Sequence, residues 1–286
     1  WIKKRCQRAW VCLEASGIYS LEPAMALHRV RGVRLMVANP KAVRDFAGAF
    51  LRRSKTDALD ADVLLEFARR MPFVSWQPPA PEVLELRALA RRIEGLQKML
   101  SQERNRLHAA GRSAAGAAVQ EDVQLHIAHL RDRIRGLRHH ALTLVAEHPR
   151  LARRLRQLCS IKGIADASAI QILAELETLP PGMTVRQWVA HAGLDPRHFE
   201  SGTSVHKRPR ISKAGNKHLR RALFMPALVA IQWEPNVNAF YEHLLDGGKT
   251  KMQANVAVMR KLIHAFYGMF KHDALFDGEK FFAPTT

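Results

Sequence analysis

Apolar positions change their period along this chain, and each change predicts a different kind of element. Ala9 to Leu13 is an unbroken apolar run, closed by Glu14 and then by the turn-prone Ala15-Ser16-Gly17, so it reads as a short strand. Leu21 to Arg29 follows as a helix stopped by Gly32, Val33 to Val37 as an apolar strand, and Pro40 to Phe50 as a helix with proline in its first turn. A further helix runs from about Thr56 to Met71 and ends before Pro72. Alternating strand and helix predicts an α/β layer with parallel pairing, although two convincing strands are fewer than a stable mixed sheet usually has.

The stretch Gln77-Pro78-Pro79-Ala80-Pro81 marks a boundary, because three prolines in four residues exclude helix and hold the chain extended. Beyond it Leu86, Leu89, Ile93, Leu96, Leu100 and Leu107 keep 3-4-3-4-7 spacing, and Val123, Ile127, Leu130, Ile134, Leu137 and Leu144 keep 4-3-4-3-7. Two such heptad stripes predict an antiparallel coiled-coil hairpin that folds back near 109–118, each arm roughly 35 to 40 Å long. A two-helix hairpin buries little alone, so the stripes are expected to pair protomers as well as each other. The arginines between the apolar positions read as a solvated face that is also compatible with phosphate contacts.

Leu158 to Ala169, with Ile161-Lys162-Gly163-Ile164 at its centre, resembles a helix-hairpin-helix turn. Glycine permits the tight hairpin and the following helix offers N–H groups to a phosphate, so Lys162 and Gly163 are candidate contacts; a plain connection between packed helices is the alternative. Thr184 to Ala192 reads as a short helix with Gly193 as its stop, and amphipathic helices near Asn236 to Leu245 and Lys251 to Phe270 complete a core. The longest apolar run, Ala222 to Trp233, is broken by Pro226, and none approaches the roughly 18 residues of a membrane-spanning helix.

Charge changes the picture more than composition does. A 286-residue chain that is 47% hydrophobic has material for two or three ordinary cores and is not a disordered protein. Its 45 Lys and Arg against 26 Asp and Glu leave a formal charge of +19, which calls for a polyanionic partner, nucleic acid before a membrane surface. From His206 to Arg221 there are seven Lys or Arg (Lys207, Arg208, Arg210, Lys213, Lys217, Arg220, Arg221) and no acid, the strongest candidate for phosphate contact. The three cysteines, Cys6, Cys12 and Cys159, are odd in number and unspaced for zinc, which fits a reduced, cytoplasmic setting.

Candidate chemistry centres on Ser54 to Val63, where Asp57 and Asp60 are three apart and share a helix face, with Cβ atoms roughly 5 to 6 Å apart. Thr56 as N-cap, with acids complementing the helix dipole, accounts for the same residues without any chemistry. A third carboxylate, Glu14 at a strand end, would turn the pair into an oxygen-rich site suited to Mg²⁺. Ser201, in Phe-Glu-Ser-Gly-Thr-Ser, is by spacing only a loop serine, with Ser204 close by.

Val-Cys-Leu-Glu-Ala-Ser-Gly-Ile-Tyr, then Val-Ala-Asn-Pro-Lys-Ala-Val-Arg-Asp-Phe, then Lys-Thr-Asp-Ala-Leu-Asp-Ala, resemble the DEDD transposases of the bacterial insertion-sequence family one-ten and its eleven-eleven subgroup. Ala192-Gly193-Leu194-Asp195-Pro196, followed by Ser201-Gly202 and by Lys213-Ala214-Gly215-Asn216-Lys217-His218-Leu219-Arg220-Arg221, resembles the second domain of the same family. The resemblance implies a mixed, mostly α fold: an N-terminal α/β ribonuclease-H-like (RuvC-like) remnant at 1–78, the coiled-coil hairpin at 79–150, and a C-terminal helical transposase domain with the helix-hairpin-helix-like turn at 151–286.

It further implies metal-dependent DNA strand cleavage and joining in the bacterial cytoplasm, at the nucleoid. Glu14, Asp57 and Asp60 would hold Mg²⁺ or Mn²⁺, and Ser201, or Ser204, would be the nucleophile joined to DNA. Implied partners are DNA, a structured guide RNA from the element, and further copies in a homodimer or homotetramer. The chain begins at Trp1, without an initiator methionine, directly before the strand bearing Glu14. The family's first acid lies upstream of that point, so the expectation is a truncated chain with three of four acids and impaired catalysis. A nucleic-acid-binding remnant and a junction-resolving nuclease that uses water stay open as alternatives.

Overall fold

The computed structural model describes residues 4, 7–15, 17–50, 56–112, 116–201 and 205–283, with backbone only at 18, 198–201 and 205–209. They fall into two compact units, Trp1–Pro79 and Ala80–Thr286, divided at the proline-rich stretch. The fold is mostly helical with two small sheets, and among the described residues no helix is long and apolar enough to cross a membrane.

In the first unit β1 (Ala9–Glu14) and β2 (Val33–Ala38) pair in parallel, from Ala9 opposite Val33 to Glu14 opposite Ala38. The connection between them is α1 (Ile18–His28), the crossover that parallel strands require. Next comes α2 (Pro40–Ala47), capped by Asn39, whose side chain accepts the Lys41 N–H at 2.9 Å. The unit's last helix is α3 (Asp57–Arg70), which packs against β1. Val63 and Phe67 of α3 close a small core with Met36, Ala38 and Val43, and the Phe46 ring meets Phe67 edge-on at 5.3 Å.

The second unit starts with α4 (Pro81–Ala110) and α5 (Ala117–Glu147), an antiparallel hairpin in which Ile93 and Leu96 bury against Leu130 and Ile134. Leu96 and Ile134 keep only 2% and 5% of their surface, so the stripes close on each other within one chain. The expected leftover apolar seam for a second chain is therefore absent from these positions. At the base of the hairpin Val83, Leu86, Ala90, Ala141 and Leu144 merge into the main core.

That core is built on α6 (Pro149–Cys159), α7 (Asp166–Leu176) and α8 (Val185–Ala192). An antiparallel pair follows, β3 (Pro196–Ser201) and β4 (Val205–Ile211), and then α9 (Lys217–Trp233), α10 (Pro235–Asp246), α11 (Lys251–His272) and the short α12 (Gly278–Phe281). Helix α9 runs straight through Pro226, because the ring is buried and core packing along Leu219, Leu223, Ala227 and Ala230 outweighs one missing backbone hydrogen bond. Ser201 is the last residue of β3 and not part of an irregular loop; its segment alternates too weakly in polarity to read as a strand.

The turn between α6 and α7 also has a definite packing role. Gly163 has φ +106, and a Cβ there would sit 2.6 Å from the Ala230 backbone nitrogen. Its missing side chain lets the turn lie directly on α9, the service a tight connection between packed helices needs.

Candidate nucleic-acid interface

In the first unit Glu14 ends β1, exposed, at the carboxyl edge of the parallel pair, where ligands of α/β layers commonly bind. Asp57 and Asp60 occupy the first turn of α3, both exposed, and Thr56 Oγ1 accepts the Leu59 N–H at 3.3 Å. Asp60 precedes the buried Val63 by three residues, so it stands at the exposed end of the same helix face. Three carboxylates on two packed elements are a donor set suited to a hard divalent cation. Among the described residues, however, no three His, Cys, Asp or Glu side chains are gathered closely enough to hold one.

In the second unit the basic run does not form one solvated face. Its middle, residues 212–216, is a loop bound at almost every step: Ser212 N–H to Asp195 O at 2.9 Å, Lys213 N–H to Gly193 O at 3.1 Å, Asn216 N–H to His191 O at 2.6 Å. Ser212 Oγ adds a 2.6 Å bond to the Asp195 carboxylate. Lys213 is held in the left-handed region at φ 52, uncommon for a residue with a side chain. Gly215, at φ +127, approaches so closely that a Cβ would lie 2.2 Å from His191 O.

Beneath the loop is a buried polar network. The Asn216 side-chain oxygen accepts the His218 and Leu219 N–H groups and so caps α9, while its amide donates to Glu175 Oε2 at 2.6 Å. Glu175, almost fully buried on α7, also receives Arg91 from α4 through two bonds of 2.8 and 3.1 Å. Burial pushes the Glu175 pKa up, but the Arg91 and Asn216 hydrogen bonds and the charge of Arg91 overcome it and hold the carboxyl below its ordinary value. His191, whose Nε2 lies 3.3 Å from the Asn216 amide, is pushed down by burial.

Beside this loop opens a cleft of about 1070 Å³, walled by seven Lys and Arg against the single carboxylate of Glu94. Arg210, Lys213, Lys217, Arg220 and Arg221 come from the basic run, and Arg138 of α5 and Arg260 of α11 join them from far away in sequence. The latter two escaped sequence reading because nothing local distinguishes them from other helix-surface arginines. Arg220 is partly structural, donating to Ala192 O at 2.7 Å. Arg221 Nη1 lies 3.3 Å from Glu94 Oε1, and His218 Nδ1 donates to the other oxygen of the same carboxylate.

The remaining candidates are placed as follows. Ala167, Ser168 and Gln171 of α7 line the cleft, whereas Lys162 is exposed on the preceding turn and Gly163 packs against α9. Lys207 and Arg208 lie on β4, but their side chains fall outside the described residues. Ser201 ends the hairpin whose base, Pro196 and Ile211, borders the cleft, about 17 Å away at roughly 3.3 Å per residue. Its side chain, with Gly202 and Ser204, lies outside the described residues.

Comparison with known proteins matches both ends of the chain. Residues 155–242 fit the model of the transposase IS116/IS110/IS902 family, and residues 1–110 fit that of the IS110-type DEDD transposases. The pilin gene-inverting protein of Moraxella bovis is 31% identical over 245 residues, 85% of this chain and 74% of that protein. The pilin gene-inverting protein of Moraxella lacunata matches to the same extent. An uncharacterized 43.6 kDa protein of insertion element IS110 from Streptomyces coelicolor is 27% identical over 120 residues, 42% of this chain and 29% of that protein. With a relative this similar over most of both lengths, and two transposase family models matching successive parts of the chain, the protein belongs to the IS110 family of transposases, enzymes that recombine DNA.

Proposed function

We propose that the chain cuts and rejoins DNA by phosphoryl transfer, with Ser201 as nucleophile and Glu14, Asp57 and Asp60 as the acidic site. The observation that carries this reading is the cationic cleft, whose loop is locked in place and whose bordering hairpin ends in Ser201. A preformed cationic wall lowers the energy of a phosphodiester placed on it without reorganising at the moment of reaction.

In the proposed reaction Ser201 Oγ attacks phosphorus while its proton passes to a neighbouring base. The bond from phosphorus to the leaving strand oxygen breaks, and that oxygen takes up a proton. Attack by a strand oxygen on the phosphoserine then rejoins DNA and returns Ser201. Mg²⁺ or Mn²⁺, when bound, would supply Lewis-acid stabilisation of the attacking and leaving oxygens. Glu14 at the end of β1 and Asp57 and Asp60 in the first turn of α3, all exposed, would hold it.

The division of labour we propose is a ribonuclease-H-like (RuvC-like) part at 1–78, the coiled-coil hairpin at 79–150 as a spacer and assembly arm, and a DNA-engaging part at 151–286. The inversion named for the Moraxella relatives is the kind of cut-and-rejoin outcome such chemistry would serve. A structured guide RNA and a homodimer or homotetramer complete the proposal, supported by the charge of +19 and by exposed apolar residues on the hairpin such as Leu125.

The test is a covalent adduct. Labelled DNA carrying the element ends, incubated with the full chain, Mg²⁺ and the element's RNA, should yield a strand that migrates with protein on a denaturing gel. Ser201→Ala should abolish that band and Ser204→Ala should keep it. Cleaved strands without any adduct would replace this mechanism by water-driven hydrolysis.

A further inference from the structure

We infer that the cleft takes an unpaired DNA strand and not an intact duplex, a reading that rests on the proposed nucleic-acid role of the cleft. Its cations form the wall, but its floor is apolar: Phe224, Met225, Met252, Val256 and Met259 line it. Met225 and Met252 keep 59% and 58% of their surface exposed, unusual for large apolar side chains lying beside so many charges.

A duplex presents phosphates and sugars outward and hides its base faces, so a methionine under it exchanges water for little. A single strand can turn its bases onto the floor while its phosphates meet the wall. Methionine suits the task, since its polarisable sulfur makes favourable contacts with aromatic rings and its side chain adapts to any base.

A second observation points to an anion at the same place. Arg138 Nε is buried in the cleft wall without a hydrogen-bond acceptor among the described residues. An orphaned guanidinium N–H costs free energy unless a partner arrives, and a phosphate oxygen is the matching acceptor. Arg260 on α11 and Lys217 on α9 would continue the track along the backbone.

The experiment measures binding of the full chain to a fluorescein-labelled 12-nucleotide DNA strand, to the blunt duplex of the same sequence, and to the RNA strand. Single-stranded DNA should bind most tightly. The double variant Met225→Ala, Met252→Ala should weaken that binding about tenfold and leave duplex binding unchanged. Both side chains are exposed, so circular dichroism of the variant should match the parent. Duplex binding as tight as single-strand binding, with no effect of the methionines, would overturn the inference while leaving the cleft as a nucleic-acid surface. Tighter, methionine-dependent binding of RNA would overturn the assignment to DNA. Binding unaffected by Arg138→Gln and Arg260→Ala together would sink both this inference and the cleft's proposed role.

Discussion

Arg91 of the hairpin and Glu175 of α7 meet in a two-pronged ion pair, Nε to Oε1 at 2.8 Å and Nη2 to Oε2 at 3.1 Å, though 84 residues separate them in sequence. The same carboxylate receives the Asn216 amide, so one buried acid ties the hairpin to the capped start of α9.

Removing that acid leaves Arg91 and Asn216 without their acceptor. Glu175→Ala should lower the unfolding free energy of the second unit by about 2 to 4 kcal/mol, the lower end favoured because Arg91 is partly exposed. Urea titration followed by circular dichroism measures it. A loss under about 0.5 kcal/mol would mean the network is replaced by water.

The same network predicts acid sensitivity. Glu175 has a folded pKa below its unfolded value, so its contribution is present above the ordinary carboxylate range and is lost as pH falls through the folded pKa. His191 is also depressed, from an ordinary value of 6.5, so its contribution is complete above that pH and is lost as pH falls below it. Protonation turns its Nε2 from acceptor to donor and breaks the 3.3 Å contact with the Asn216 amide. The melting temperature should therefore fall in two stages, the first as pH drops below 6.5 and the second only as it drops below the ordinary carboxylate value of 4.5, and His191→Gln should remove the upper one.

Members of the basic run should separate by role. Lys217 and Arg210, exposed at the cleft, should each reduce the slope of log affinity against log salt by roughly one unit when changed to Ala. Arg220→Ala should instead lower stability, since its guanidinium holds the Ala192 carbonyl. Salt titrations on a labelled single strand, with thermal melts beside them, distinguish the two behaviours.

Leu96 and Ile134 are internal to the hairpin, so Leu96→Ala should cost about 2 to 4 kcal/mol by opening a cavity. Hydrogen exchange should lose protection in the outer hairpin while the amides around Leu173 in the main core stay protected. A variant that changes the assembly mass with no loss of protection would place Leu96 at a contact between chains.

Cys159 should be a slow nucleophile. Burial, and then its hydrogen bond to Asp166, push its thiol up to about 12. Alkylation by iodoacetamide at pH 8, followed by peptide mapping, should be far slower than for an unhindered thiol, and Asp166→Asn should speed it.

Local rules carried much of this protein. Short apolar runs, heptad patterns, proline punctuation and caps such as Thr56, Thr184 and Asn216 are settled by neighbours within a few residues, so β1, β2, the hairpin and most helices were legible. Family motifs likewise lie in contiguous stretches, and the basic run announced itself by charge alone. Contacts between distant segments decided the rest. Whether an arginine faces water or Glu175, as Arg91 does, depends on where α4 and α7 meet. Whether Pro226 ends a helix depends on the core that buries it. Whether a heptad stripe seeks a second chain depends on how fully its partner arm covers it. The cleft draws Arg138, Lys217 and Arg260 from three helices, and no local window contains all three. Such arrangements are set by burial and charge pairing over long sequence separations, which only the folded chain brings together.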